Sequence, residues 1–287
     1  MQAISIISTK GGVGKTTVTA NLGGLFADAG LRVLLLDLDM QPTLSSYFAI
    51  AERAEYGTYE LLAFNERDVT RLASHTAIDR LDVILSNDQH RQLATLLLNA
   101  PDGRLRLRNL LPAFEPHYDL VLVDTQGARS VLLEMAVLAS DIAVSPVTPE
   151  ILAARELRRG TVRLLEDVAP FRHLGIQPPP LKLLLNRVPA VSANARLIQQ
   201  SLRLIFRDDS NVEILHTEIP AIEAFPRAAS HDLPAHRVEY RRPTGRLAPS
   251  ALEIMRDLAA ELCPQWREQI GMVTGRTRGR HANAKPS

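Results

Sequence analysis

Ser8-Thr9-Lys10-Gly11-Gly12-Val13-Gly14-Lys15-Thr16-Thr17 is the stretch from which the rest of this chain is read. The apolar run 3–7 precedes it and reads as a buried strand, and 18–29 follows it and reads as a helix. Strand, glycine-rich turn, lysine–hydroxyl pair and helix form the setting that a phosphate-binding loop requires. Glycines let successive backbone N–H groups curl inward around an anion, and the new helix adds its partial positive charge at the same point. Lys15 is then expected on the β- and γ-phosphates, and the Thr16 hydroxyl on Mg²⁺. The usual loop opens on a glycine that would fall at position 9. Thr9 stands there instead, followed by a second lysine, Lys10.

The whole chain sets bounds on this reading. Its 287 residues suffice for a large core. Apolar residues at 46% and charged residues at 23% are ordinary for a globular protein, and a net charge of +1 requires neither nucleic acid nor membrane as partner. A single cysteine, Cys263, excludes an internal disulfide and a cysteine-ligated cluster. There is no signal-peptide pattern, and no apolar run approaches the 18 residues of a membrane span, so a cytoplasmic protein is expected.

Taken in order, 31–36 is a second apolar strand that ends in Asp37-Leu38-Asp39. With Gly30 as helix C-cap it completes a βαβ unit, hence parallel strands covered on both faces. Asp37 and Asp39 fall at the carboxyl end of that strand, the edge where ligands bind in open parallel sheets. Residues 44–64 read as short helices, 81–85 as a strand, and 89–98 and 105–111 as helices. The run 118–124 is another apolar strand, closed by Asp124 and followed by Thr125-Gln126-Gly127-Ala128. An aspartate so placed can hold Mg²⁺ directly or through water. Then come a strand at 142–147, a long helix at 150–168, a strand at 181–185 closing on Asn186-Arg187, a helix at 194–206 and an edge strand at 212–215. Four prolines make 225–249 irregular, and 252–270 reads as one amphipathic helix. The expected fold is a doubly wound α/β domain over 1–270, mostly parallel, with helices on both faces, and a basic disordered tail over 271–287.

The loop resembles the deviant Walker A motif, K-G-G-x-G-K-[ST], of the ParA/MinD class of P-loop ATPases. The resemblance is specific over 3–48 and 118–128 and weaker at 181–189 and 217–221. Gln41-Pro42-Thr43-Leu44-Ser45 and 124–128 look like ParA/Soj-like partition proteins carried on plasmids or integrative elements. It implies ATP and Mg²⁺ as cofactors, and an ATP-sandwich homodimer in which Lys10 touches the phosphates held by the partner. Lys10, Lys15 and Asp39 become the catalytic candidates, with Asp39 positioning the attacking water. Thr16, Asp39 and Asp124 become the metal candidates. The nucleotide would rest on Lys10, Gly11, Gly12, Val13, Gly14, Lys15, Thr16 and Thr17. Asn186 and Arg187, with Ile219 and Pro220, would lie at the base. Pro189 occupies the place of the aspartate in N-K-x-D, which argues against guanine. The family often has proline where Gln126 stands.

The class further implies non-specific double-stranded DNA and a ParB-like protein that stimulates hydrolysis, with a nucleoid-associated location. Arg155, Arg158, Arg159 and Arg163 fall on one face of a continuous helix, where they could neutralise DNA phosphates. Arg203, Arg207, Arg227, Arg237, Arg241 and Arg242 are further candidates. The alternative is a MinD-like or other ParA-like positioning ATPase that acts at a membrane or envelope complex rather than on DNA; a MinD-like protein would lie on the bilayer through its last helix. The acidic polar side of that helix (Glu253, Asp257, Glu261) argues for packing against the domain instead.

Overall fold

A computed structural model describes residues 1–150, 153–189, 193–207 and 211–274. The apolar runs become strands of one 10-stranded sheet: β1 Gln2–Ile6, β2 Val33–Asp37, β3 Ile50–Glu52, β4 Ser74–Thr76, β5 Leu81–Ile84, β6 Leu120–Asp124, β7 Ile142–Val147, β8 Leu181–Val188, β9 Val212–Ile214 and β10 Ile219–Pro220. Their order is β10-β8-β7-β1-β6-β2-β5-β4-β3, with β9 also paired to β8. Strands β2 and β6 are buried at every residue, as continuous Val/Leu runs covered on both faces must be. All pairings are parallel except β3–β4 and β4–β5.

Register aligns the ends that matter. Ile6 of β1 pairs with Asp124 of β6, and Asp124 pairs with Asp37 of β2. Three carboxyl-terminal strand ends therefore stop at one level, and the loops after them share one edge. Helix α1, Lys15–Asp28, runs back from that edge with Val18, Leu22, Leu25 and Phe26 buried. Gly30, at φ 93°, turns the chain after it, as the βαβ reading expects.

The C-terminal helices of the described residues pack against the domain. The span 252–270 is not one helix: Ala251–Leu262 stops at Cys263, because Pro264 cannot continue it, and Arg267–Met272 follows a 3₁₀ turn. Ser250 and Glu253 form a capping box at its start. Leu252, Met255, Leu258 and Leu262 join the core that holds α1, and Trp266 meets Phe26 edge-on at 5.8 Å. Its apolar side is therefore occupied, and among the described residues no helix is long and apolar enough to cross a membrane.

Other expectations change. Part of 44–64 is β3, and β4 lies beyond it; both are three-residue strands formed only by antiparallel pairing. Residues 225–249 are not simply irregular, since Ala224–Ala229 and Ala235–Val238 are helical. That segment is locked to α1: Arg237 grips the buried Asp28 carboxylate with two nitrogens, His236 bonds it at 2.7 Å, and Asn21 accepts the Ala235 N–H at 2.6 Å. Arg237 is thereby removed from the DNA candidates. Arg276, Arg278, Arg280 and Lys285 of the expected tail lie outside the described residues.

Leu258 is fully buried beside α1. Leu258→Ala is predicted to lower unfolding stability by about 2–5 kcal/mol, measured by urea denaturation. A surface-lying anchor helix would lose far less.

Candidate nucleotide site

The loop after β1 and the start of α1 are built around an uncapped helix end. Gly14, the N-cap, sits at φ 92°, no side chain caps it, and the first turn carries no acid. By contrast, Ser130 and Ser250 cap their helices. The first amides of α1 are thus left for an anion. Gly14 also has no room for a side chain, because a Cβ there would meet Asn186 Nδ2 at 2.3 Å. Asn186 donates to the Val13 carbonyl at 2.7 Å, and Arg187 donates to the Gly12 carbonyl at 2.9 Å from a left-handed backbone at φ 56°. Both residues hold the loop's shape, in addition to the base-side place expected of them. Ile219 pairs with Asn186, which brings Ile219-Pro220 beside it.

Three aspartates meet this loop. Asp124 is fully buried and accepts from the Thr16 hydroxyl at 2.6 Å. Burial pushes its carboxyl up to about 7, against the Thr16 bond and the Lys15 charge. Asp37, also fully buried, is pushed up to about 6 by burial, while accepting from Ser45 N and Oγ, both at 2.7 Å, and from Asp39 N at 3.1 Å. Asp39 emerges into the groove, where its carboxylate accepts the Gln41 N–H at 3.0 Å and its carbonyl the Ser86 hydroxyl at 2.7 Å. Burial lowers the Lys15 ammonium pKa, and Asp124 and Asp39 oppose that shift.

Lys15, Thr16, Thr17, Asp39, Gln126 and Gly127 line one groove of about 490 Å³, within the usual range for a small ligand. Among the described residues no cluster of three or more His, Cys, Asp or Glu could hold a metal alone. Mg²⁺ takes one or two protein oxygens and completes its shell with phosphates and water. The hard oxygens of Thr16 and Asp124, in contact with each other, fit that donor set. Asp39 stands on the same groove wall.

Lys10 does not point into this groove. Its ammonium bonds Glu150 at 2.6 Å and Glu156 at 2.9 Å in its own chain. All three side chains are 38–59% exposed, so each bond is worth about 0–1 kcal/mol and is readily exchanged. Glu156 belongs to the helix Ala153–Leu157, which continues through a π turn, Arg158–Val162, into Arg163–Val168. The expected uninterrupted helix is thus corrected. The wider π turn shifts the angular positions beyond it, so Arg163 no longer follows the α-helical face of Arg155. Arg163 instead pairs with Glu166 and Asp167. Arg155, Arg158 and Arg159 are exposed without an ion pair among the described residues, and Lys10 pairs with Glu156 of the same helix.

Sequence reasoning missed what Gly160 does. A Cβ on it would lie 1.8 Å from Thr9 Oγ1, so the π turn presses directly on the loop. The threonine where the usual loop has glycine is matched by a glycine in the facing helix. Gly160→Ala is predicted to cost about 1–3 kcal/mol by denaturation, and Thr9→Gly to recover most of that loss in the double variant.

Comparison with known proteins agrees with this geometry. A family model described as an AAA domain matches residues 1–173. The sporulation initiation inhibitor protein Soj of Bacillus subtilis is 30% identical over 260 residues, 90% of this chain and 98% of Soj. The ATP complex of a substituted McdA from Cyanothece superposes with a TM-score of 0.74 at 18% identity, over 94% of this chain and 96% of that one. A putative plasmid partition protein from Borrelia burgdorferi B31, bound to AMPPNP, gives 0.64 at 22% identity, over 95% and 97%.

Proposed function

We propose a function from the premise that this chain belongs to the AAA-domain family of ParA/Soj-like P-loop ATPases. That membership implies ATPase activity. The finer reading is a partition or maintenance ATPase for a chromosome, plasmid or integrative element. In it the chain takes up ATP in the groove lined by Lys15, Thr16 and Asp39. Thr16 and Asp124 would hold Mg²⁺, which would neutralise charge on the phosphates. Lys15 binds the phosphate chain, and Asp39 orients the attacking water.

Two copies then associate face to face. Lys10 exchanges Glu150 and Glu156 for the phosphates held by the other copy. That exchange trades two exposed, weak ion pairs for charge-assisted bonds to a desolvated phosphate. The observation that carries the reading is the Thr16–Asp124 contact beneath the uncapped end of α1. An anion site and a cation site meet there at the carboxyl edge of a parallel sheet.

The paired form binds DNA without sequence preference through Arg155, Arg158 and Arg159, and a ParB-like partner stimulates hydrolysis and release. Gly160 against Thr9, and Glu156 on Lys10, link these arginines to the loop, so the state of the nucleotide can reach them. The alternative, a positioning ATPase at a membrane or envelope complex, would not use Ala251–Leu262 as its anchor, because that helix packs on the core.

DNA retention measured with ATP, ADP and no nucleotide at two salt concentrations tests the proposal. Retention is expected with ATP alone, falling with a log–log salt slope of about −0.9 per phosphate neutralised. Lys15→Ala should abolish it, and joint replacement of Arg155, Arg158 and Arg159 by Ala should abolish it while leaving ATP binding intact. Equal retention without nucleotide, or retention on anionic vesicles in place of DNA, would overturn the reading.

A further inference from the structure

Arg91 lines the same groove as Lys15, Thr16 and Asp39. It comes from the loop after β5, the strand beside β2 on the side away from β6. Its backbone is left-handed at φ 55°, a conformation that a side chain this size keeps only where the surroundings fix it. Asp88 does the fixing. Its carbonyl accepts the Arg91 N–H at 3.2 Å, and its two carboxylate oxygens accept Gln92 N–H at 2.8 Å and Leu93 N–H at 3.0 Å. The Asp88 carboxylate is therefore engaged by backbone amides and not by the guanidinium above it. Arg187, the other arginine lining the groove, is committed to the Gly12 carbonyl. The exposed Arg91 guanidinium has neither hydrogen bond nor ion pair among the described residues.

Strand order gives this cation a meaning. Along the sheet edge the sequence is β10, β8, β7, β1, β6, β2, β5. Asn186 and Ile219 stand at the β8–β10 end, the phosphate loop follows β1, Asp39 follows β2, and Arg91 follows β5. A nucleotide with its base toward β8 and β10 and its phosphates over the loop would extend its terminal phosphate toward β2 and β5. In that placement the terminal phosphate would be the one nearest Arg91's side of the groove.

We propose that Arg91 determines specificity for a nucleoside triphosphate over the diphosphate by donating its planar fork to the terminal phosphate. The proposal rests on the nucleotide reading of the groove. A guanidinium suits the task because its paired N–H donors match two phosphate oxygens, which a lysine cannot do.

The test titrates wild type, Arg91→Ala, Arg91→Lys and Lys15→Ala with fluorescent ADP and with a fluorescent non-hydrolysable ATP analogue, in Mg²⁺, at protein concentrations below self-association. Arg91→Ala is expected to weaken the ATP analogue by about tenfold or more and ADP by less than about twofold, the scale of a lost charge-assisted contact. Arg91→Lys should recover part of the loss, because it keeps the charge but not the fork. Equal weakening of both nucleotides, or of neither, overturns the role of Arg91 while the groove's reading stands. Wild type that binds neither nucleotide, or Lys15→Ala that binds as wild type does, overturns both.

Discussion

Two carboxylates buried side by side are the constraint that orders this molecule. Asp37 and Asp124 face each other across β2 and β6, both shut from solvent. Burying a carboxylate is expensive unless its oxygens are occupied, and two neighbours raise each other's cost. Asp37 is satisfied by Ser45 and by the Asp39 amide, which pins the loop after β2 and sends the Asp39 side chain outward. Asp124 has the Thr16 hydroxyl and the field of Lys15. Its remaining acceptor capacity, at the start of α1, is what a hard divalent cation bound to phosphate would use. The groove takes its shape from satisfying those two side chains.

Around that centre the loop is held from two sides. Asn186 and Arg187 grip its carbonyls from the β8 end, and Gly160 abuts Thr9 from the helix after β7. The second contact joins the loop to the helix that carries Arg155, Arg158 and Arg159. Lys10 reaches the same helix through Glu156. Binding at the loop and charge on the outer face are thereby parts of one rigid connection only a few side chains long.

How much of this was legible varied with the physics. The central strands were plain because a strand covered on both faces must be apolar throughout, and 142–147 was located to the residue. Lys15 and Thr16 announced themselves behind a glycine-rich loop, and Asp124 by its place at a strand end. By contrast, Ser74-His75-Thr76 has no apolar pattern, and only antiparallel pairing with β3 and β5 makes it a strand. The helices within 224–238 were hidden by prolines, since their order comes from Asp28 gripping Arg237 and His236. The π turn has no local signature, and Gly160 is explained only by Thr9, which lies at the other end of the nucleotide-binding half of the chain. Arg91 lay inside the helix expected over 89–98; that helix begins only at Leu93, which leaves Arg91 in the loop that reaches the groove.

The account stands on one claim: a bound triphosphate draws Lys10 from its own Glu150 and Glu156 to a second copy, and so joins two chains. Sedimentation velocity of the wild-type chain with Mg²⁺ tests this most directly, comparing a non-hydrolysable ATP analogue with ADP. The account predicts a doubled mass with the triphosphate alone. A single-chain mass under both conditions, or doubling with ADP as well, would contradict it.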